Sequence, residues 1–174
     1  MKSDDIADET YTASDLAKEL GRRLLSGKLL ISTAESCTGG LIAGAITEVP
    51  GSSAWFERSV VTYSNAAKQQ MLGVDEAILS AHGAVSEACV KAMAHGALAN
   101  ADAQVAISVS GIAGPDGGTP EKPVGTVWIG RAWAGETAID AECFIFQGNR
   151  WQVRQQAVCE ALRGTISGLV KRGL

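Results

Sequence analysis

The sequence predicts a layered α/β fold, a sheet covered by helices on both faces. Three observations predict it. Runs at helical spacing alternate with short β-branched runs in the order αβαβααβββα, and strands separated by helices pack as a sheet with helices on each side. The last two strands are joined only by Ala134-Gly135-Glu136, so they form an antiparallel hairpin and make the sheet mixed. The chain has 174 residues, of which 46% are hydrophobic and 20% charged. That suits one globular domain, and a chain of this size buries roughly 70% of its unfolded surface without needing disulfides.

The elements follow in order. Residues 1–12 are acidic and polar and read as a disordered lead-in, leaving 13–174 as a single domain. Ser14-Asp15 caps a helix to about Ser26, with Leu16, Leu20, Leu24 and Leu25 on one face and Gly27 at its end. A buried strand over 28–34 runs into Glu35-Ser36-Cys37-Thr38-Gly39-Gly40 and a helix over 41–49, which Pro50-Gly51 breaks. Ser52 or Ser53 opens a short turn of helix. The run Ser59-Val60-Val61-Thr62-Tyr63 is β-branched and aromatic, hence a strand, and Ser64-Asn65 caps a helix carrying Lys68. A short helix over 75–81 ends at Gly83, and Ser86 caps a longer one to about Ala99. A strand over 104–110 enters a loop over 111–123. Strands over 125–133 and 137–146 and a helix over 149–170 complete the chain.

Composition excludes several functions. The net charge is -4 and the pI about 5.2, and Arg22-Arg23 and Lys171-Arg172 form no basic stripe, so a nucleic-acid partner is not expected. Cys37, Cys89, Cys143 and Cys159 contain no CxxC pair, and His82 and His95 lack metal-motif spacing, so no metal or other cofactor is expected. The cysteines suit reduced, mostly buried thiols in a cytoplasmic protein. The N-terminus is the opposite of a signal peptide, and the apolar runs are too short to span a membrane. Exposed-looking tryptophans and the apolar composition suggest a homodimer.

Three segments carry candidate chemistry, each after a strand, where open α/β sheets bind ligands. In TAESCTGG (33–40), hydroxyls and paired glycines precede a helix whose free N–H groups suit an anion; the same pattern serves as a tightly packed helix start. In the second, a serine at Gly51-Ser52-Ser53 needs a base, and Lys68 can serve if burial lowers its pKa. Read alone, the pattern favours Ser53 as a helix cap and Lys68 as a solvated residue. The third, Ser108 to Gly118, is a glycine-rich loop at a strand end suited to a phosphate or ribose, or a plain surface connection. Arg150 at the start of the last helix can reach a phosphate. His82 reads as a helix end rather than a catalyst.

Together these segments resemble the CinA C-terminal domain family, the PncC-type nicotinamide-nucleotide amidohydrolases. The resemblance rests on TAESCTGG (33–40), GSSAWFERSVVTYSNAAK (51–68), LGV (72–74), HGAVSE (82–87), SGIAGPDGGTPEKPVGTVW (110–128) and GNR-x₃-R (148–154), in the family's order. It implies a three-layer α/β/α sandwich on a mixed sheet of about five strands. It implies hydrolysis of the carboxamide of nicotinamide mononucleotide to nicotinic acid mononucleotide and ammonia. By position Ser53 resembles the nucleophile, Lys68 its base and Tyr63 a third member assisting proton transfer, with the choice of Ser53 over Ser52 resting on the resemblance alone. Ser36, Thr38, Gly39 and Gly40 would shape the substrate pocket. Ser110, Gly111, Gly114, Gly117, Gly118 and Arg150 would hold ribose and phosphate. Some relatives carry a large additional N-terminal domain, for which this chain has no room. A non-catalytic nucleotide-binding module is the competing reading.

Overall fold

The computed structural model describes residues 11–174, so most of the acidic lead-in lies outside it. Tyr11 and Thr12 already belong to the fold. Tyr11 packs on the core, and Thr12 rather than Ser14 caps α1 (Ala13–Gly27), in a reciprocal capping box with Asp15. After α1 come β1 (Ile31–Glu35), α2 (Leu41–Thr47), a 3₁₀ turn (Ser52–Ala54), β2 (Phe56–Val61) and α3 (Asn65–Leu72). Then follow α4 (Glu76–His82), α5 (Glu87–Ala99), β3 (Val105–Gly111), β4 (Thr126–Trp133), β5 (Asp140–Ile145) and α6 (Arg150–Lys171).

The five strands form one mixed sheet in the order β2-β1-β3-β4-β5. β2, β1 and β3 are parallel, while β4 runs antiparallel to both β3 and β5. Alternation along the strands decides what each face holds. Ile31, Val105, Ile107, Val127 and Ile129 present bulk to Leu16, Leu20 and Leu24 of α1 and to Val158, Leu162 and Ile166 of α6. The other face carries Ala34, Ala106 and Ala132 under Cys89, Met93 and Ala97 of α5. Small residues let α5 lie close to the sheet. Ser32 and Ser108, buried there, donate to α5 carbonyls of Ala97 (2.9 Å) and Val90 (2.6 Å), so neither hydroxyl is orphaned. The predicted three-layer sandwich is the architecture observed.

Boundaries shift where backbone pairing overrides propensity. The chain pairs from Phe56 onward, because the Ile31 amide donates to the Trp55 carbonyl and Phe56 faces Ile31; β2 therefore starts and ends earlier than its β-branched run. Lys28 turns left-handed to close α1, which delays β1 to Ile31. Trp55 and Trp133 are core residues, whereas Trp151 is 58% exposed. No helix among the described residues is long and apolar enough to cross a membrane.

Candidate active site

The parallel strands β1, β2 and β3 end together, and the unusual side chains gather beyond those ends. Lys68 sits one turn into α3, which Ser64 caps through the Ala67 amide. The helix turns it inward, so Lys68 is only 1% exposed. Its Nζ donates to the Ser36 hydroxyl at 3.0 Å and to the Thr62 carbonyl at 2.7 Å. Both partners are neutral. Burial pushes the Lys68 pKa below the ordinary lysine value, with the thiols of Cys89 and Cys37 acting weakly the other way. Such a lysine is closer to the neutral, proton-accepting form than a surface one.

Ser36 follows β1 directly and is 8% exposed. Its amide donates to the Val109 carbonyl of β3, which fixes where the turn leaves the sheet. The neighbouring Cys37 is excluded as a thiolate nucleophile, since burial pushes its pKa up to about 11.

The predicted anion site at the start of α2 is already occupied from within. Glu35, fully buried, accepts from the Thr38 hydroxyl (2.7 Å) and from the amides of Gly40 (2.9 Å), Ile42 (3.1 Å) and Ala43 (2.9 Å). Gly39 and Gly40 have φ of 62° and 94°, the left-handed backbone that lets the turn wrap back over this carboxylate. The glycines thus serve the turn. Arg154 of α6 holds the same turn from outside, donating to the Thr38 carbonyl at 2.7 Å.

The structure does not bring Ser53 to Lys68. Ser53 lies in the 3₁₀ turn before β2, beside the Ile31 end of β1, while Ser36 and Lys68 lie beyond the Glu35 and Val61 ends. A strand of this length separates them by roughly 15–20 Å. Ser53 is exposed and forms no side-chain cap. Ser52 shares this turn and is equally distant from the amine.

Tyr63 is 63% exposed, and its hydroxyl accepts from Arg150 Nη2 at 3.0 Å rather than meeting Lys68. Arg150 Nη1 donates to the Gly114 carbonyl at 2.8 Å, so the loop after β3, Tyr63 and the start of α6 form one rim. Ser110 is buried in β3. The loop's glycines first let it fold on itself. A side chain at Gly118 would meet the Val124 backbone at 2.7 Å, one at Gly111 would meet the Thr126 carbonyl at 2.8 Å, and Gly114 and Gly117 have positive φ. His82 ends α4 as predicted, and its carbonyl accepts from Lys122 Nζ at 3.0 Å.

Glu35, Thr62 and Arg154 belong to the site although the sequence reading gave none of them a role. Glu35 had a signal, a carboxylate at a strand end beside a hydroxyl-rich turn. Arg154 had one too, as the last residue of GNR-x₃-R, while Thr62 had none, since it acts through its backbone carbonyl.

The model of the CinA C-terminal domain family matches residues 13–169. A protein of Escherichia coli (strain K12) called nicotinamide-nucleotide amidohydrolase PncC is 56% identical over 149 residues, spanning 85% of this chain and 89% of its own length. A Pseudomonas putida protein of the same name is 53% identical, spanning 87% and 93%. The crystal structure of the competence/damage inducible protein CihA from Agrobacterium tumefaciens superposes with a TM-score of 0.87 at 43% identity, covering 89% of this chain and 94% of that one. The chain belongs to the CinA C-terminal domain family.

Proposed function

We propose that this protein hydrolyses the carboxamide of nicotinamide mononucleotide, releasing ammonia and nicotinic acid mononucleotide, with Ser36 as nucleophile and Lys68 as its base. The observation that carries the reading is the buried 3.0 Å contact between Lys68 Nζ and Ser36 Oγ in a chain 56% identical to a nicotinamide-nucleotide amidohydrolase. Ser36 replaces Ser53 as the candidate because a base must lie within hydrogen-bond reach of the proton it takes.

In this mechanism the Thr62 carbonyl engages one Lys68 N–H, and the lone pair of the neutral amine faces Ser36. Lys68 takes the hydroxyl proton as Ser36 Oγ attacks the amide carbon. The oxyanion is received by backbone N–H groups beside Ser36. Lys68 returns the proton to the departing ammonia, and water then cleaves the acyl-enzyme by the same route. The pyridinium charge makes the amide carbon more electrophilic. Arg150, with Tyr63 and the loop around Gly114, holds the phosphate and ribose, because Arg150 donates only to neutral acceptors and keeps its charge for an anion.

The test is ammonia release from nicotinamide mononucleotide by the parent and by Ser36→Ala. Turnover in the parent, reduced at least about 10³-fold in a folded Ser36→Ala, is the expected result. Full turnover in Ser36→Ala removes Ser36 as nucleophile, and no ammonia from the parent removes the substrate.

A further inference from the structure

We propose that Glu35 is a positioning residue for this reaction: its buried carboxylate shapes the turn that aims Ser36 at Lys68. The inference rests on Ser36 being the nucleophile.

The argument begins with what an ordinary helix start requires. Exposed amides at a helix N-terminus are usually met by Ser, Thr, Asp or Asn at the capping position. Here that position is Gly40, which has no side chain to offer. The amides of Gly40, Ile42 and Ala43 are instead met by Glu35, five to eight residues upstream and across the turn. One carboxylate therefore ties the end of β1 to the beginning of α2, with Ser36 and Thr38 on the chain it closes. The Thr38 hydroxyl supplies a fourth donor at 2.7 Å, and the Thr33 and Ser59 hydroxyls stand at 3.5 Å.

This is an expensive way to cap a helix of seven residues. Glu35 is fully buried and takes part in none of the ion pairs among the described residues, so hydrogen bonds alone offset its desolvation. A serine cap on extended backbone would meet the same amides at lower cost, but Gly40 has φ 94°, where a side chain is strained. Nor would such a cap fix the turn at both ends. With Glu35 inside and Arg154 on the Thr38 carbonyl outside, Thr38 is gripped by its hydroxyl and by its carbonyl.

Chemistry also limits what can stand in for Glu35. A carboxylate has about four acceptor sites and no donor. Glutamine would set an NH₂ against amides that are themselves donors. The residue acts through the turn and does not touch substrate.

The experiment separates positioning from folding through Thr38, which can lose its bond to Glu35 while the carboxylate stays. Thr38→Val removes the hydroxyl and nearly keeps the shape; Thr38→Ser keeps the hydroxyl. Three readouts are taken: kcat and KM for nicotinamide mononucleotide, labelling of Ser36 by a fluorophosphonate followed by mass spectrometry, and Tm. Thr38→Val is expected to lower kcat about 10²-fold with KM within threefold, the scale of an ångström-sized misplacement. Ser36 labelling should slow in parallel, and Thr38→Ser should restore both. Glu35→Gln, assayed below its own Tm, should lose more kcat than Thr38→Val. A Thr38→Val or a folded Glu35→Gln with parental kcat and labelling overturns the proposal, as does equal loss in Thr38→Val and Thr38→Ser. Labelling of parental Ser36 without ammonia release would remove the substrate and leave the positioning role to be read from labelling alone. Failure to label parental Ser36 overturns the proposal.

Discussion

The two ends of the sheet meet their charges in different ways. Near the β4–β5 hairpin lies a cavity of about 810 Å³, bordered by Arg131, Glu142, Glu160 and Arg172. Its arginines are matched. Arg131 pairs with Glu142 at 2.6 Å and donates to the Glu160 carbonyl, while Arg172 pairs with Glu136 at 2.7 Å and covers the Trp133 ring at 3.9 Å. Beyond the ends of β1 to β3, Lys68, Arg150 and Arg154 instead donate to carbonyls and hydroxyls and join no carboxylate among the described residues. A matched charge is already spent on structure. A cation among neutral acceptors keeps its field for an anionic ligand or for losing its proton. On the proposed reading the cavity with matched charges belongs to the scaffold, and the cations held by neutral acceptors belong to the chemistry.

The largest expected effect tests the chemical end. Lys68→Met should abolish turnover, at least about 10³-fold, as expected when a nucleophile loses its base. It should not lower stability at neutral pH, because an apolar side chain of similar length removes a costly buried amine. The pH dependence has a definite sign. The folded pKa of Lys68 lies below its unfolded value of about 10.4. Between the two values the unfolded chain binds the extra proton. Stability from this group is thus full above the unfolded pKa and is lost as pH falls through the folded one. Denaturant titrations across the alkaline range should show that rise in the parent and lack it in Lys68→Met. The kcat/KM profile of the parent should likewise fall on acidification with a midpoint below that of free lysine. A variant that keeps turnover, or a profile with its limb at the free-lysine value, breaks the assignment.

The scaffold end answers to packing. A side chain at Gly164 of α6 would run into the Arg131 guanidinium, which cannot retreat because Glu142 and the Glu160 carbonyl hold it. Gly164→Ala gains about 1 kcal/mol of helix propensity and loses about 1–3 kcal/mol to overpacking. A net loss of up to about 2 kcal/mol in urea unfolding is expected, with kcat and KM unchanged. Changed catalytic constants in Gly164→Ala would mean that the two ends are coupled.

Much of this division was legible in the sequence. Periodicity and the short Ala134-Gly135-Glu136 link were enough for the mixed, double-covered sheet, since both follow from local rules. Lys68 stood out as a candidate base, and its burial agrees with that reading. The partner of Lys68 did not emerge, because the strands run in parallel and sequence proximity misleads there. Ser53 precedes β2 and Lys68 follows it, so the strand between them carries them to opposite ends. Ser36 is 32 residues from Lys68 in sequence yet shares its end of the sheet. The anion-site reading of TAESCTGG meets a site already filled, for a related reason: the local pattern could not reveal that Glu35 takes those amides.

The smallest expected effect bears hardest on that distinction. Ser53 is exposed, lies in a 3₁₀ turn and makes no capping bond. Substitutions at such positions usually change stability by no more than about 0.5 kcal/mol. Ser53→Ala should therefore unfold at the parental urea concentration and release ammonia within twofold of the parental rate. Because the serine lies roughly 15–20 Å along the sheet from the Lys68 end, no rotamer change can bring its hydroxyl to that amine. A collapse of turnover in a stable Ser53→Ala would require Ser53 to meet the chemistry by a route outside a single chain, and the Ser36–Lys68 pair would then be incomplete as an active site.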